Sequence, residues 1–429
     1  VTKSGTSGST DKAVFSQLGG YPKALMLTAF LMVGLSLLPG IPMAPFIGVA
    51  ICIGTVCYIL FRTQSAKEAA AEASLMTAAE TPVAEEPISS ALHIDLVRLE
   101  LGYGLLPLVN EENENYRLTD QIKALRRQIA SENGFIMPQV RIQDNLQLPA
   151  NTYVVRIKEI EVGSSDIRPN RLLVMDSSGN SIDLPGTDTI EPTFGLPAMW
   201  VDPENREEAA FKGYTVVDPA TVITTHITEL IRDNMQELLS YTETQNLLDE
   251  LPTEHQKLVA DVIPNQISVG GVQRVLQNLL GERISIRDLP TILEGISEAC
   301  AFTRNATQIT EHVRSRLARQ ISEQNSTDEN FIPLVTLSTE WEQIFAESIV
   351  ENGEERQLSM APSQLQRFID SVRTVMDGYT ETGDNPVMLT SPAIRPFVRS
   401  IVERFRPETE IMSQNEIHPK AKIKTLGKI

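Results

Sequence analysis

Residues 24–61 contain no charged side chain, while the chain beyond them is dense with charge. A helix needs about 20 apolar residues to cross a bilayer, so this run has room for two. Its middle, Leu38-Pro39-Gly40-Ile41-Pro42-Met43-Ala44-Pro45, holds three prolines and a glycine and cannot continue a helix. The pattern predicts a transmembrane helical hairpin with limbs Ala24–Leu38 and Met43–Phe61. The short first limb would borrow residues N-terminal to Lys23, whose long side chain can snorkel. A re-entrant loop is the alternative. Lys3, Lys12 and Lys23 precede the run, Arg62 and Lys67 follow it, and the turn carries no charge. Lys and Arg favour the cytoplasmic side, so both flanks are expected in the cytoplasm.

Val1-Thr2-Lys3 reads as the continuation of an earlier segment, which predicts further chain upstream, and no signal peptide is visible. Cys52 and Cys57 fall in the second limb and Cys300 stands alone, so no disulfide framework is expected. Of the 56 acidic residues all but Asp11 follow Phe61, with 34 of the 37 basic ones, which leaves the downstream part near −21. Such a surface repels nucleic acid and anionic headgroups and suits partners with basic or mixed faces.

After the hairpin, residues 62–93 are rich in Ala and Glu, carry two prolines and have few large apolar side chains, the composition of a linker. From there the texture is α+β. Ile94–Leu101 alternates as a strand, Thr119–Asn133 has a helical apolar face capped by Gly134, and Met137–Gln143 reads as another strand. A β-rich insertion follows, and then a long helix, Pro219–Leu239. Residues 242–324 are wholly helical, with a turn at Gly281–Ser285 that gives a winged-helix look. The last stretch alternates strands (Ile332–Leu337, Val387–Leu389, Glu410–Met412) with helices (Trp341–Val350, Ser363–Met376, Ser391–Phe405) as an α/β module.

Signatures of catalysis are missing. The segment Gly5–Lys12 lacks the Gly-Lys-Ser/Thr ending of a phosphate loop. The five histidines have no metal-ligand spacing, and His226 reads as a core-edge residue on an amphipathic helix. No Gly-x-Ser-x-Gly elbow occurs. The helix–turn–helix at Gly271–Gly295 invites DNA, but residues 251–320 hold eight basic and seven acidic side chains, too balanced to track phosphates. The chain therefore reads as a binding protein, with no catalytic residue, metal ligand or cofactor expected.

Several segments are similar to a known family: Leu99–Val109 (LELGYGLLPLV), Gly195–Val201 (GLPAMWV), Gly213–Val217 (GYTVV), Val275–Glu294 (VLQNLLGERISIRDLPTILE), and upstream Gln17-Leu18 and Leu38–Pro42. They resemble the flagellar branch of the export-gate family shared with virulence type III secretion. The resemblance covers nearly the whole chain and is weakest in the linker and in Asn325–Gly383. It implies a multi-domain protein: residues 1–23 a cytoplasmic loop, 24–61 the last two of eight transmembrane helices, 62–93 the linker. Four cytoplasmic subdomains then follow: 94–169 with 219–238 (α+β), 170–218 (β-rich insertion), 239–320 (all-helical, winged-helix-like) and 321–417 (α/β), with 418–429 as a C-terminal tail.

The implied location is the inner membrane, multi-pass, with the C-terminal domain in the cytoplasm. The implied role is docking of flagellar export chaperones with their cargo, switching of substrate class, and export driven by proton-motive force. Implied partners are other proteins of the export apparatus, a homo-oligomeric ring of nine copies, and membrane lipid. The family's chaperone pocket would fall here on Glu191, Phe194 and Thr225, with Val217 and Val222 as apolar neighbours. The family residue at Glu191 is usually Asp, a departure of one methylene. An aromatic anchor with a carboxylate and a hydroxyl at its edge suits such a pocket. The competing reading is a Phe buried in a Pro-x-x-Gly turn and a Thr225 that only back-bonds along its helix. Two rival functions stand beside this one: a virulence-secretion gate, and a membrane-tethered enzyme whose site lies outside this sequence.

Overall fold

The computed structural model describes residues 94–110, 117–176, 181–327, 329–352, 355–381 and 385–429, and upstream of these only the helical positions Gly48 and Thr55. The expected hairpin and linker lie outside the described residues, apart from those two positions. Among the described residues no helix is long and apolar enough to cross a membrane. Residues 94–429 form one compact unit.

The unit opens on a mixed sheet of β1 (Val97–Leu101), β2 (Val140–Asp144), β3 (Thr152–Ile157) and β4 (Ile160–Asp166) in the order β2-β1-β3-β4. β1 and β2 are parallel, which needs a crossover; α1 (Leu118–Asn133) supplies it. Leu118, Ile122, Leu125 and Ile129 recur at helical spacing and are all buried, and Gly134 ends the helix at φ +68°.

A second sheet, entirely antiparallel, is built from β5 (Leu172–Met175), β6 (Gly186–Ile190), β7 (Pro197–Val201) and β8 (Thr215–Val217), ordered β6-β7-β5-β8. Its strands alternate between two cores. Leu173, Ala198 and Trp200 join the main core, while Val174 and Val201 pack with Ala209 of α2 (Arg206–Phe211) on the other face. The chain then returns to the first sheet through α3 (Pro219–Leu238), whose N-cap Asp218 accepts from Thr221 N–H.

Helices α4 (Tyr241–Asp249), α5 (Gln256–Val262), α6 (Val269–Gly281), α7 (Leu289–Cys300), α8 (Ala306–Arg316) and α9 (Ala318–Gln324) follow. No strand occurs among residues 239–327, so the helix–turn–helix is present without a wing. The buried faces of α6 (Val272, Val275, Leu276, Leu279, Leu280) and α7 (Ile292, Leu293, Ile296) extend the main core.

The closing module is a parallel sheet of β9 (Phe331–Thr336), β12 (Val387–Thr390), β13 (Ile411–Ser413) and β14 (Lys422–Lys428), ordered β13-β12-β9-β14. It is joined by α10 (Thr339–Ser348), the hairpin β10 (Ile349–Asn352) and β11 (Glu355–Leu358), α11 (Pro362–Glu381) and α12 (Arg395–Val402). Two sequence expectations differ here. The helix expected over Ser391–Phe405 is shorter, because it starts just before Pro396 and ends at Val402. The segment read as a tail supplies strand β14, whose lysines are exposed at the sheet edge while Ile429 N–H donates to Thr336 O.

Candidate functional site

The turn between β6 and β7 is Glu191-Pro192-Thr193-Phe194-Gly195. Glu191 is 3 % exposed, and its carboxylate reaches forward into this turn. Thr193 N–H donates to its Oε1 at 2.9 Å and Phe194 N–H to its Oε2 at 2.6 Å, while Gly195 N–H donates to its carbonyl at 3.0 Å. Gly195 adopts φ +68°, which favours glycine. A turn tied at this many points leaves the ring at its apex nowhere to fold back, and Phe194 stands 63 % exposed.

Glu191 has no Lys or Arg in ion-pair range among the described residues. Two buried aromatic groups sense its charge instead. Tyr153 on β3 and His226 on α3 lie 2.6 Å apart, hydroxyl to Nδ1, with their rings edge to face. Burial, and then the Glu191 carboxylate, push the Tyr153 hydroxyl far above its usual range, so it keeps its proton and donates to Nδ1. That fixes the imidazole as the Nε2–H tautomer. Burial lowers the His226 pKa, against a smaller upward pull from Glu191. Gly163 on β4 makes room for this ring: a Cβ there would lie 2.9 Å from His226 Cε1 and 2.6 Å from Leu230 Cδ1.

The remaining expected residues divide. Val217 ends β8 half-buried against the main core. Val222 is 2 % exposed inside that core, so it supports the site from beneath and offers no surface. Thr225 is half-buried on α3; its neighbours Thr224 and Thr228 back-bond to Ala220 O and Thr224 O, but the Thr225 hydroxyl has no partner among the described residues. Neither half of the bland reading, a buried Phe and a back-bonded Thr225, matches this arrangement. Tyr153 and His226 form one buried pair that feels the charge of the buried Glu191, while Phe194 is exposed on the turn that Glu191 ties.

Sequence reading missed a second polar centre, where α6 and α8 meet the closing module. Arg395 (1 % exposed) grips Glu282 through Nη1 at 2.7 Å and Nη2 at 2.9 Å, and Glu311 through Nε at 2.7 Å. Arg314 (0 %) reaches Glu282 at 2.9 Å and the fully buried Glu416 at 2.5 Å. Burial alone would raise the Glu282 carboxyl, but Arg395 and Arg314 pull it down to about 2. Glu311 and Glu410 stay above their usual range because burial outweighs their arginines. Only an excess of Arg on apolar helix faces could have signalled this layer. Among the described residues no cluster of His, Cys, Asp and Glu could hold a metal ion.

Comparison with known proteins places the chain. It is 50 % identical to the flagellar biosynthesis protein FlhA of Caulobacter vibrioides over all of its own length and 61 % of that relative, so it spans about three fifths of the relative. Among solved structures it is similar to Chlamydia pneumoniae CdsV, with a TM-score of 0.71 at 26 % identity over 78 % of this chain and 98 % of that one. The nonameric EPEC SctV-C shares the fold, with a TM-score of 0.64 at 20 % identity over 78 % of this chain and 98 % of that one. The sequence pattern of the FHIPEP family matches residues 1–422, and the chain belongs to that family.

Proposed function

We propose that this chain is part of a flagellar export gate in the inner membrane. It would be anchored by the 24–61 hairpin, with residues 94–429 in the cytoplasm docking export chaperones that carry cargo. The observation that carries the docking reading is the tied turn that holds Phe194 out in solvent above the buried Glu191. Exposed aromatic side chains on a fixed backbone act as interface anchors. The 50 % identity to an FlhA supports the flagellar reading over a virulence gate.

Glu191 then shapes the turn from within, and Thr225 offers the free hydroxyl. Assembly into a nine-membered ring, contact with other export-apparatus proteins and lipid, substrate switching and proton-motive-force-driven export belong to the same proposal. So does the absence of enzymatic activity. Residues 94–429 carry their own cores, and the solved CdsV chain is matched over 98 % of its length by 78 % of this chain.

The test is binding of purified residues 62–429 to flagellar chaperone–cargo complexes, wild type beside Phe194→Ala. We expect micromolar binding that the variant loses while its circular dichroism is unchanged. A wild-type protein that binds no flagellar chaperone would remove the docking function. A variant that unfolds would make Phe194 a structural residue.

A further inference from the structure

An edge strand leaves alternate N–H and C=O groups unpaired, and folds usually guard such edges with lysines, bulges or short strands. The edges of the three four-stranded sheets differ in this respect. β14 carries Lys422, Lys424 and Lys428 and a break in register between Thr425 and Gly427. β2 carries Arg141, β4 meets a bulge at Val155/Arg156, and β8 and β13 are three residues each. β6, Gly186-Thr187-Asp188-Thr189-Ile190, has five residues in unbroken register without proline or lysine.

The ladder identifies its open side. Glu191 N–H donates to Leu196 O at 2.9 Å, across the β6–β7 register. By alternation the backbone groups of residues 187 and 189 also face β7, and those of Gly186, Asp188 and Ile190 face away. All three outward residues are exposed, Ile190 at 68 %. The strand runs directly into the turn that presents Phe194.

We propose that β6 is an acceptor edge: an extended segment of the export chaperone pairs with Asp188 and Ile190 as a fifth strand while the same chaperone seats on Phe194. This rests on chaperone docking at Phe194, proposed above. The chemistry of the segment follows from the surface it meets. Residues 170–218 hold nine carboxylates against Arg171, Arg206 and Lys212, so the segment is basic at its flanks. Asp188 sits mid-strand and favours Lys or Arg directly opposite, and Ile190 favours an apolar neighbour. In strand addition the main-chain bonds supply affinity and the alternate side chains supply choice.

Amide hydrogen exchange on residues 62–429, with and without saturating cargo-free chaperone, reads the edge directly. The Asp188 and Ile190 amides should exchange fast alone and at least about tenfold more slowly in the complex, while Thr189 is slow in both. Asp188→Pro removes an outward N–H, and Asp188→Lys installs a guard; each should weaken binding by about tenfold or more. If both variants bind like wild type while Phe194→Ala does not, strand addition is wrong and docking at Phe194 stands. If wild type binds no chaperone, docking itself fails and this proposal falls with it. Protection that grows with protein concentration in the absence of chaperone would assign the edge to a second copy. Protection seen only with cargo present would assign it to the cargo. Either result overturns the proposal. Exchange in the unmutated protein decides the matter even if Asp188→Pro fails to fold.

Discussion

Two buried carboxylates, Glu191 and Glu416, are hidden almost equally, at 3 % and 0 % exposure, yet they are satisfied in opposite ways. Glu416 faces Arg314 at 2.5 Å inside a layer of opposite charges that joins the helices to the closing module. Glu191 has only the N–H groups of its own turn, with a tyrosine and a neutral histidine nearby. The first arrangement locks two modules together, since moving either one would strand charge in a low dielectric. The second uses one carboxylate to shape the backbone of its own turn, without an ion pair. The ionic layer thus fixes one module against another, whereas the Glu191 carboxylate fixes only the turn that carries Phe194.

The sharpest way to break this contrast is Arg395→Ala. It leaves Glu282 and Glu311 buried without their main cation, and we expect a loss of about 3–5 kcal/mol in chemical denaturation. Chaperone binding by the fraction still folded should stay near wild type; a parallel loss of binding would mean that the two regions are coupled. Tyr153→Phe comes next. It removes the donor to His226 Nδ1 and should cost about 1–2 kcal/mol, measured the same way.

The regions should also separate by pH. His226 has a lowered folded pKa, so its contribution is complete above the usual value of 6.5 and is lost as pH falls below it. Glu282 is depressed to about 2, so its contribution is complete above 4.5 and fades only toward pH 2. Protection factors at the Thr193 and Phe194 amides, corrected for the intrinsic pH dependence of exchange, should therefore fall in mild acid while those in α12 do not. Simultaneous onset would merge the two regions. The smallest expected effect is Glu410→Gln. Because the Glu410 pKa is raised, its charged form costs stability at neutral pH, and the variant should gain on the order of 1 kcal/mol or less. That gain should vanish below pH 4.5, where the wild-type carboxyl is protonated.

The same contrast governs what was legible in the sequence. The α1 helix was readable from Ile122, Leu125 and Ile129 because its signal repeats every turn. Glu191 and Phe194 lie three apart in one turn, so their relation is local, although it was the resemblance that singled them out. The ionic layer was not, since Arg395 and Glu282 are 113 residues apart and each alone looks like a surface charge. β14 was missed because its lysines alternate with too few apolar residues to outweigh the look of a tail. Val222 was named through the resemblance, which carries over a position but not its burial in this chain.

The antiparallel pairing of β5 with β8 sets Leu173 opposite Val217, so the chain enters and leaves the 170–218 insertion at neighbouring points. An insertion with adjacent ends behaves as a cassette: exchanging it for the equivalent piece of a relative disturbs one seam. Partner preference could then be inherited or engineered as a block, provided that the underside formed by Leu173, Ala198 and Trp200 still fits the core it rests on. A change confined to that block leaves the Arg395–Glu282 joint untouched, since neither of its residues lies within 170–218.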